Sequence, residues 1–165
     1  MTPPIRRLAD PADRALVAGF FERAGDYIAF ETGLPPTAET VEEFFTATPP
    51  GGDLARSHKL GLFASGRLAA LGDLGFGFPA PEDAYIGLLL VAPDQRGAGL
   101  GPLLLARMKA AARAEGSPRL LLAVLDENRR GRAFWEREGF RRVFTASPAT
   151  FGVRTHVRHR MELKL

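Results

Sequence analysis

The stretch that decides the fold is YIGLLLVAPDQRGAGLGPLLLARMKAAARAEG, residues 85–116. Ile86 to Val91 is an unbroken apolar run, the pattern of a strand buried on both faces. Pro93 follows, then glycines at alternate positions, Gly97, Gly99 and Gly101. From Pro102 the spacing turns helical, with Leu104, Met108 and Ala111 on one stripe and Arg107, Lys109 and Arg113 mostly off it. The order is strand, glycine loop, helix. A helix start carries unpaired N–H groups and the positive end of the dipole. Glycines let that backbone approach an anion closely, so phosphate is the natural ligand.

Spacing separates the phosphate-binding designs that share this outline. A dinucleotide fingerprint needs G-x-G-x-x-G, and counting from Gly97 puts Pro102 at the third glycine. A P-loop needs Gly-Lys-Ser/Thr, a triplet absent from the chain. What remains is Arg96-Gly97-Ala98-Gly99-Leu100-Gly101 after Val91-Ala92-Pro93. A second block follows. Arg119 to Leu125 is another apolar run, trailed by Asn128 and then by Ala133-Phe134-Trp135-Glu136-Arg137-Glu138-Gly139-Phe140.

The two blocks, in this order and spacing, resemble the GNAT superfamily of N-acetyltransferases, whose cofactor loop reads Q/R-x-x-G-x-G/A. The likeness covers about residues 60–145. It implies acetyl-CoA as co-substrate, with its pyrophosphate on Arg96, Gly97, Ala98, Gly99, Leu100 and Gly101. It implies that the strand ending Leu89-Leu90-Val91 splays from its neighbour and offers backbone to the pantetheine arm. Asn128 takes the place of the family's pantetheine-contacting asparagine, and the same residue suits a helix N-cap. Trp135 stands where many members carry the tyrosine that protonates the departing thiolate. Indole N–H donates but is no practical acid, so Phe134 and Trp135 are expected to pack and touch the cofactor. If Gly139 adopts the left-handed conformation after a helix, Phe140 should close back on Trp135 or Phe134.

No general base is evident. The run Ile86–Val91 holds no Asp, Glu or His. Asp73, on the preceding strand, is the first candidate; Glu82, Asp83 and Glu31 follow, each with a competing reading as a surface charge, and a water chain is the alternative. Tyr27 and Tyr85 are the only tyrosines able to supply a proton, and Tyr85 opens the central strand.

Composition sets the remaining bounds. A chain of 165 residues that is 45% hydrophobic suits one domain, residues 1–165. No apolar stretch is long enough for a membrane span and no secretory signal opens the chain, so a cytoplasmic setting is expected. The absence of cysteine removes thiol nucleophiles and thiolate metal sites. His58, His156 and His159 show no metal-binding spacing, so no metal is expected. Residues 1–100 hold 8 Lys and Arg against 13 Asp and Glu, and residues 101–165 hold 14 against 6. The basic half suits a nucleotide phosphate or a solvated surface. It lacks the aromatic interleaving of a single-strand binder, so nucleic acid is not the expected partner.

The rest of the chain reads as a mixed α/β fold. A short first strand is expected at Ile5–Leu8. A helix should start at Asp10-Pro11 with Leu16, Val17, Phe20 and Phe21 on its apolar face, and another at Thr40 with a Thr40/Glu43 capping box. Strands at His58–Ala64 and Leu68–Phe78 should meet in a hairpin at Ser65-Gly66. The apolar strands around Leu88 and Leu122, joined through a helix, should be parallel neighbours. Arg141–Thr145 is a further strand. Thr155–Leu165 alternates as one half-exposed strand, with Glu162 on its polar face. The architecture implied is GNAT-like: a mostly antiparallel central sheet with a parallel central pair and flanking helices.

The function implied by the resemblance is N-acetyl transfer to a primary amine by direct attack; a non-catalytic acyl-CoA-binding or sensor domain is the alternative. The acceptor is an amine-bearing small molecule or protein, and a homodimer is left open. The acidic amino-terminal half, through Asp26, Glu31, Glu42 and Glu43, predicts a preference for cationic amines.

Overall fold

The computed structural model describes residues 1–165. Strand β1 (Ile5–Arg7) leads into three helices, α1 (Arg14–Arg23), α2 (Asp26–Thr32) and α3 (Ala38–Thr46). Strands β2 (His58–Ala64), β3 (Arg67–Phe76) and β4 (Ala84–Val91) form an antiparallel meander. Helix α4 (Leu100–Ala114) crosses to β5 (Arg119–Leu125), and α5 (Arg129–Arg137) leads to β6 (Arg141–Thr145), β7 (Ala149–Phe151), β8 (Arg154–His156) and β9 (Arg158–Lys164). The main sheet runs β1-β2-β3-β4-β5-β9-β6, and only β4 and β5 are parallel. Strands β7 and β8 form a separate hairpin. No helix is long and apolar enough to cross a membrane.

Each sheet face carries its own core. Leu104, Leu105 and Met108 of α4 pack on Leu60, Leu74, Ile86 and Leu122. Val17, Phe20 and Phe21 of α1 and Phe44 and Phe45 of α3 pack on Leu68, Leu71 and Leu90. Successive strand residues point to opposite faces, which is why Leu71 and Leu74 serve different layers. The β2–β3 hairpin turns on Ser65 (φ 52°) and Gly66 (φ 74°), a two-residue connection whose twist matches the strands.

Several boundaries differ from the sequence reading. Helix α1 starts three residues after Pro11, because the Asp13 carboxylate accepts from Ala9 N–H at 2.8 Å and pairs with Arg6. Leu16 is exposed rather than on the apolar face. The capping box of α3 lies one turn early, with Thr37 and Thr40 as its members. Helix α4 starts at Leu100, which leaves Pro102 in the first turn, where no N–H is needed. The carboxy-terminal strand breaks at Val157 into β8 and β9, and β8 folds onto α2 with the unforeseen β7. Glu162 is buried, not solvated, because Arg119 and Arg141 both bond its carboxylate at 2.9 Å.

Candidate functional site

The parallel ladder between β4 and β5 is short. It pairs Ala84 with Leu120, Tyr85 with Leu121 and Ile86 with Leu122, and then stops. Beyond it β4 keeps pairing with β3 as far as Val91, and β5 with β9 as far as Leu125. The strands therefore diverge, and the backbone groups of β4 that face the gap have no strand partner. Gly87 begins the divergence. It is the extra residue of a bulge, since Asp73 registers with Leu88 and Leu74 with Ile86. A Cβ on Gly87 would lie 2.7 Å from Asp73 Oδ2, so any other residue must displace that carboxylate.

The gap opens into a cleft of about 750 Å³, walled by residues 86–91 and 122–124, by the glycine loop, by α5 and by Tyr27 and Phe30 of α2. At one end stands the start of α4. Gly97 (φ 82°) and Gly99 (φ 78°) are left-handed, a conformation costly for any residue with a Cβ. No backbone N–H of residues 97–101 donates to a backbone carbonyl, and the first such bond of α4 runs from Leu103 N to Gly99 O. Ideal Cβ atoms at Gly97 and Gly99 would meet nothing within 4 Å. The result is a row of unpaired donors at a positive helix end with free space before it. That suits a pyrophosphate, so the residues present fit the phosphate end of acetyl-CoA. Arg129, Arg130 and Arg137 of α5 also line the cleft and supply positive charge. No group of three or more His, Asp or Glu side chains is placed to hold a metal ion.

Leu89, Leu90, Val91, Arg96, Gly97, Gly99, Leu100, Gly101, Asn128, Phe134 and Trp135 all line this one cleft, while Ala98 does not. The Arg96 guanidinium does not face the glycine loop's donors. It pairs with Asp26 at 2.7 Å, and its Nε donates to the Val91 carbonyl at 3.1 Å, tying α2 to the end of β4. Asn128 caps α5: its Oδ1 accepts from Gly131 N–H at 2.9 Å, which leaves its Nδ2 hydrogens to donate elsewhere. Trp135 is buried between Phe134 (ring centroids 4.9 Å) and Phe140 (5.2 Å). Gly139 at φ 95° closes α5: Phe140 N–H donates to Trp135 O at 3.0 Å and Gly139 N–H to Glu136 O at 3.1 Å, a complete Schellman motif. The second block is thus a helix end whose aromatic lock also forms cleft wall.

Asp73 and Tyr85 do not line the cleft. Asp73 lies beneath Gly87 in a buried pair with Lys59 Nζ, at 2.8 Å. Burial pushes its carboxyl up despite the lysine. Tyr85 lies at the closed end of the β4–β5 ladder with its ring against Phe78 (5.2 Å), and burial pushes its phenol up. Tyr27 is the tyrosine on the cleft wall; its hydroxyl lies 3.4 Å from Glu31 Oε2 and burial holds it protonated. Of the acidic residues read from the amino-terminal half, Asp26 is paired with Arg96 and Glu42 with Arg14 at 2.6 Å. Burial pushes the Glu31 carboxyl up. Sequence reasoning passed over Glu127, Phe30 and the charges of Arg129 and Arg130 as cleft residues. The excess of arginine after residue 100 was the signal for the last two.

Comparison with known proteins agrees with this geometry. The model of the Acetyltransferase (GNAT) family matches residues 22–140. No curated protein matches the sequence. Among solved structures, an acetyltransferase from Thermus thermophilus superposes with TM-score 0.81 at 26% identity, covering 100% of this chain and 98% of that one. A ribosomal-protein-alanine N-acetyltransferase from Brucella melitensis gives TM-score 0.73 at 21% identity, with 98% and 99% covered. An N-acetyltransferase from Staphylococcus aureus gives 0.74 at 18% identity, with 99% of each chain covered. The last two share the fold.

Proposed function

The chain belongs to the GNAT acetyltransferase family, and on that premise we propose that it moves an acetyl group from acetyl-CoA to a primary amine by direct attack. One observation carries the reading: the β4–β5 ladder ends at Ile86 and Leu122, and the gap runs to the unpaired N–H groups of residues 97–101. When bound, acetyl-CoA supplies a thioester already activated toward amines. The chain binds and orients. The N–H groups of residues 97–101 hold the pyrophosphate, and Arg129 and Arg130 add charge at the rim. The gap-facing backbone of Leu89 to Val91 pairs with the pantetheine arm as an added strand. A backbone N–H near Leu89 or Val91 polarises the acyl carbonyl, and Asn128 Nδ2 and the faces of Phe134 and Trp135 fix the arm. The acceptor enters past Tyr27 and Phe30. Tyr27, held protonated and on the cleft wall, is the better placed tyrosine to donate toward a departing thiolate.

The alternative, a domain that binds acyl-CoA without turning it over, draws on the burial of Asp73 and on Trp135 in place of a tyrosine. Titrating CoA by calorimetry and following thiol release over a panel of amines separates the two. Binding with steady release supports transfer, binding alone supports the sensor, and no binding sinks both. Ligand at a hundred times its Kd should stabilise the fold by about 2.7 kcal/mol.

A further inference from the structure

The turn after β5 carries adjacent carboxylates, Asp126 and Glu127, and each faces a buried histidine from the carboxy-terminal strands. The two pairs differ in what they leave free. His159 has both ring nitrogens engaged, Nε2 with Asp126 Oδ1 at 2.6 Å and Nδ1 with Thr145 Oγ1 at 2.9 Å. It cross-links β5, β9 and β6. His156 has one nitrogen engaged. Its Nε2 lies 2.8 Å from the Glu31 carbonyl oxygen, which can only accept, so Nε2 carries the hydrogen. In the neutral ring Nδ1 is then a bare lone pair. His156 is 3% exposed, and its Nδ1 is buried without a hydrogen-bond partner. Buried polar atoms are rarely left so.

Facing Nδ1 at 3.9 Å is Glu127 Oε1. Two acceptors cannot bond one another, and 3.9 Å is beyond hydrogen-bond reach, so a single proton joins them only when the exposed Glu127 side chain swings closer to the ring. The Glu127 side chain is 68% exposed and lines the cleft, as does Phe30, whose ring centroid lies 5.8 Å from that of the imidazole. The other carboxylates on the cleft are spoken for or remote: Asp26 is held by Arg96, and Glu138 caps the far end of α5.

We propose that Glu127 takes the proton from the acceptor's ammonium group, and that His156 is the positioning residue that holds that proton behind it. This rests on the acetyl-transfer reading of the same cleft. The step is a proton transfer. One N–H bond of the ammonium breaks, its electron pair stays on nitrogen as the nucleophile, and the proton passes to the carboxylate–imidazole pair and then to water. The acceptor class follows: a cationic primary amine, drawn to a carboxylate beside the aromatic faces of Tyr27 and Phe30.

The charged and titratable groups that face His156 are Glu127 from the β5–α5 turn and Glu31 from α2, and Glu31 is itself flanked by Tyr27, by Glu43 from α3 and by Arg158 from β9, with Arg154 of β8 bonded to the Phe30 carbonyl. The test varies only Glu127, an exposed residue whose Glu127→Gln change keeps shape and folding. Ring ¹⁵N shifts of His156 are recorded at neutral pH in the free protein, wild type and variant. Separately, kcat/KM is followed against pH with a cationic amine, and CoA binding is checked by calorimetry. We expect the neutral ring to carry its hydrogen on Nε2 and its Nδ1 shift to change in Glu127→Gln. The plateau of kcat/KM should drop ten- to a hundredfold. Glu127→Asp should recover part of that loss. An Nδ1–H tautomer, an unmoved Nδ1 shift, or a kcat/KM plateau that ignores the substitution would overturn the proposal while leaving acetyl transfer standing. Absent CoA binding or absent turnover in the wild type would overturn both.

Discussion

Position 99 separates anion binding from backbone strain. Gly99 has φ 78°, and a Cβ there would meet no atom within 4 Å. Gly99→Ala should therefore cost only the left-handed backbone penalty, about 1 kcal/mol. For a chain of this size that lowers Tm by about 2–4 °C. Gly99→Glu pays the same strain and stays folded, but it adds a carboxylate beside the N–H row of residues 97–101. A carboxylate about 4 Å from a phosphate is repelled by about 4 kcal/mol at an effective dielectric of 20, close to a thousandfold in Kd. Calorimetry with CoA on both variants, paired with thermal melts, reads the two effects apart. Equal melting losses with a large affinity loss confined to Gly99→Glu are expected. Equal CoA affinity in the Ala and Glu variants would refute the placement of phosphate at this loop.

Three other substitutions probe the surrounding framework. Trp135→Phe trims the wall of the cleft and removes no acid, so the KM for acetyl-CoA should rise more than kcat falls; a kcat loss of a hundredfold or more, with binding and stability intact, would match the removal of a general acid instead. Gly87→Ala drives a methyl onto the Asp73 carboxylate, at 2.7 Å from Oδ2, and should cost about 1–3 kcal/mol in chemical denaturation, with an unchanged midpoint counting against the bulge. Arg119→Met strips the bonds that Arg119 makes to the buried carboxylates Asp83 and Glu162 at 2.9 Å; with Arg119 partly exposed and Glu162 still held by Arg141, it should cost about 1.5–3 kcal/mol at neutral pH. Arginine bonds hold both carboxyls below their usual range, so their contribution is present above an unfolded pKa of about 4 and is lost as pH falls through the lowered folded values. Tm should therefore drop more steeply below pH 4 in wild type than in Arg119→Met, and parallel curves would show that this network does not set the acid limit.

The parts of the fold that were legible are those whose burial pattern repeats. Leu120–Leu122 are buried, but Ile86–Val91 buries only Ile86 and Leu90 and turns Leu88, Leu89 and Val91 partly to the cleft. Its apolar run marks the strand and not full cover, and the helix between the two runs forces a parallel pair. Gly139-Phe140 was legible as a helix end because its chemistry is local: a left-handed glycine and an aromatic closing on Trp135, five residues earlier. The cap of α3 was misplaced for an equally local reason: Thr40 with Glu43 matches the usual Ser/Thr-x-x-Glu/Gln signature, whereas the box that forms is Thr37 with Thr40 in the place of the acid.

The site was legible where it is made of backbone and where Asn128, Phe134 and Trp135 of the second block line it. The glycine loop and the divergent strand need particular φ angles and particular missing side chains, and those leave marks in sequence. Proton-handling groups leave none, because what qualifies them is a partner far along the chain. Asp73 reads as a free carboxylate on a strand, yet Lys59 from the neighbouring strand closes it off. Asp26 reads as an acidic residue facing an acceptor, yet Arg96, 70 positions later, claims it. His156 reads as one polar residue in an alternating strand. It acquires a fixed tautomer only because the break at Val157 turns it toward the Glu31 carbonyl, 125 positions earlier. The same break sets its bare Nδ1 against Glu127 on the edge of the cleft. Charge pairing between distant segments thus removes the candidates that sequence favours, and the interruption of the strand at Val157 places the one that sequence hides.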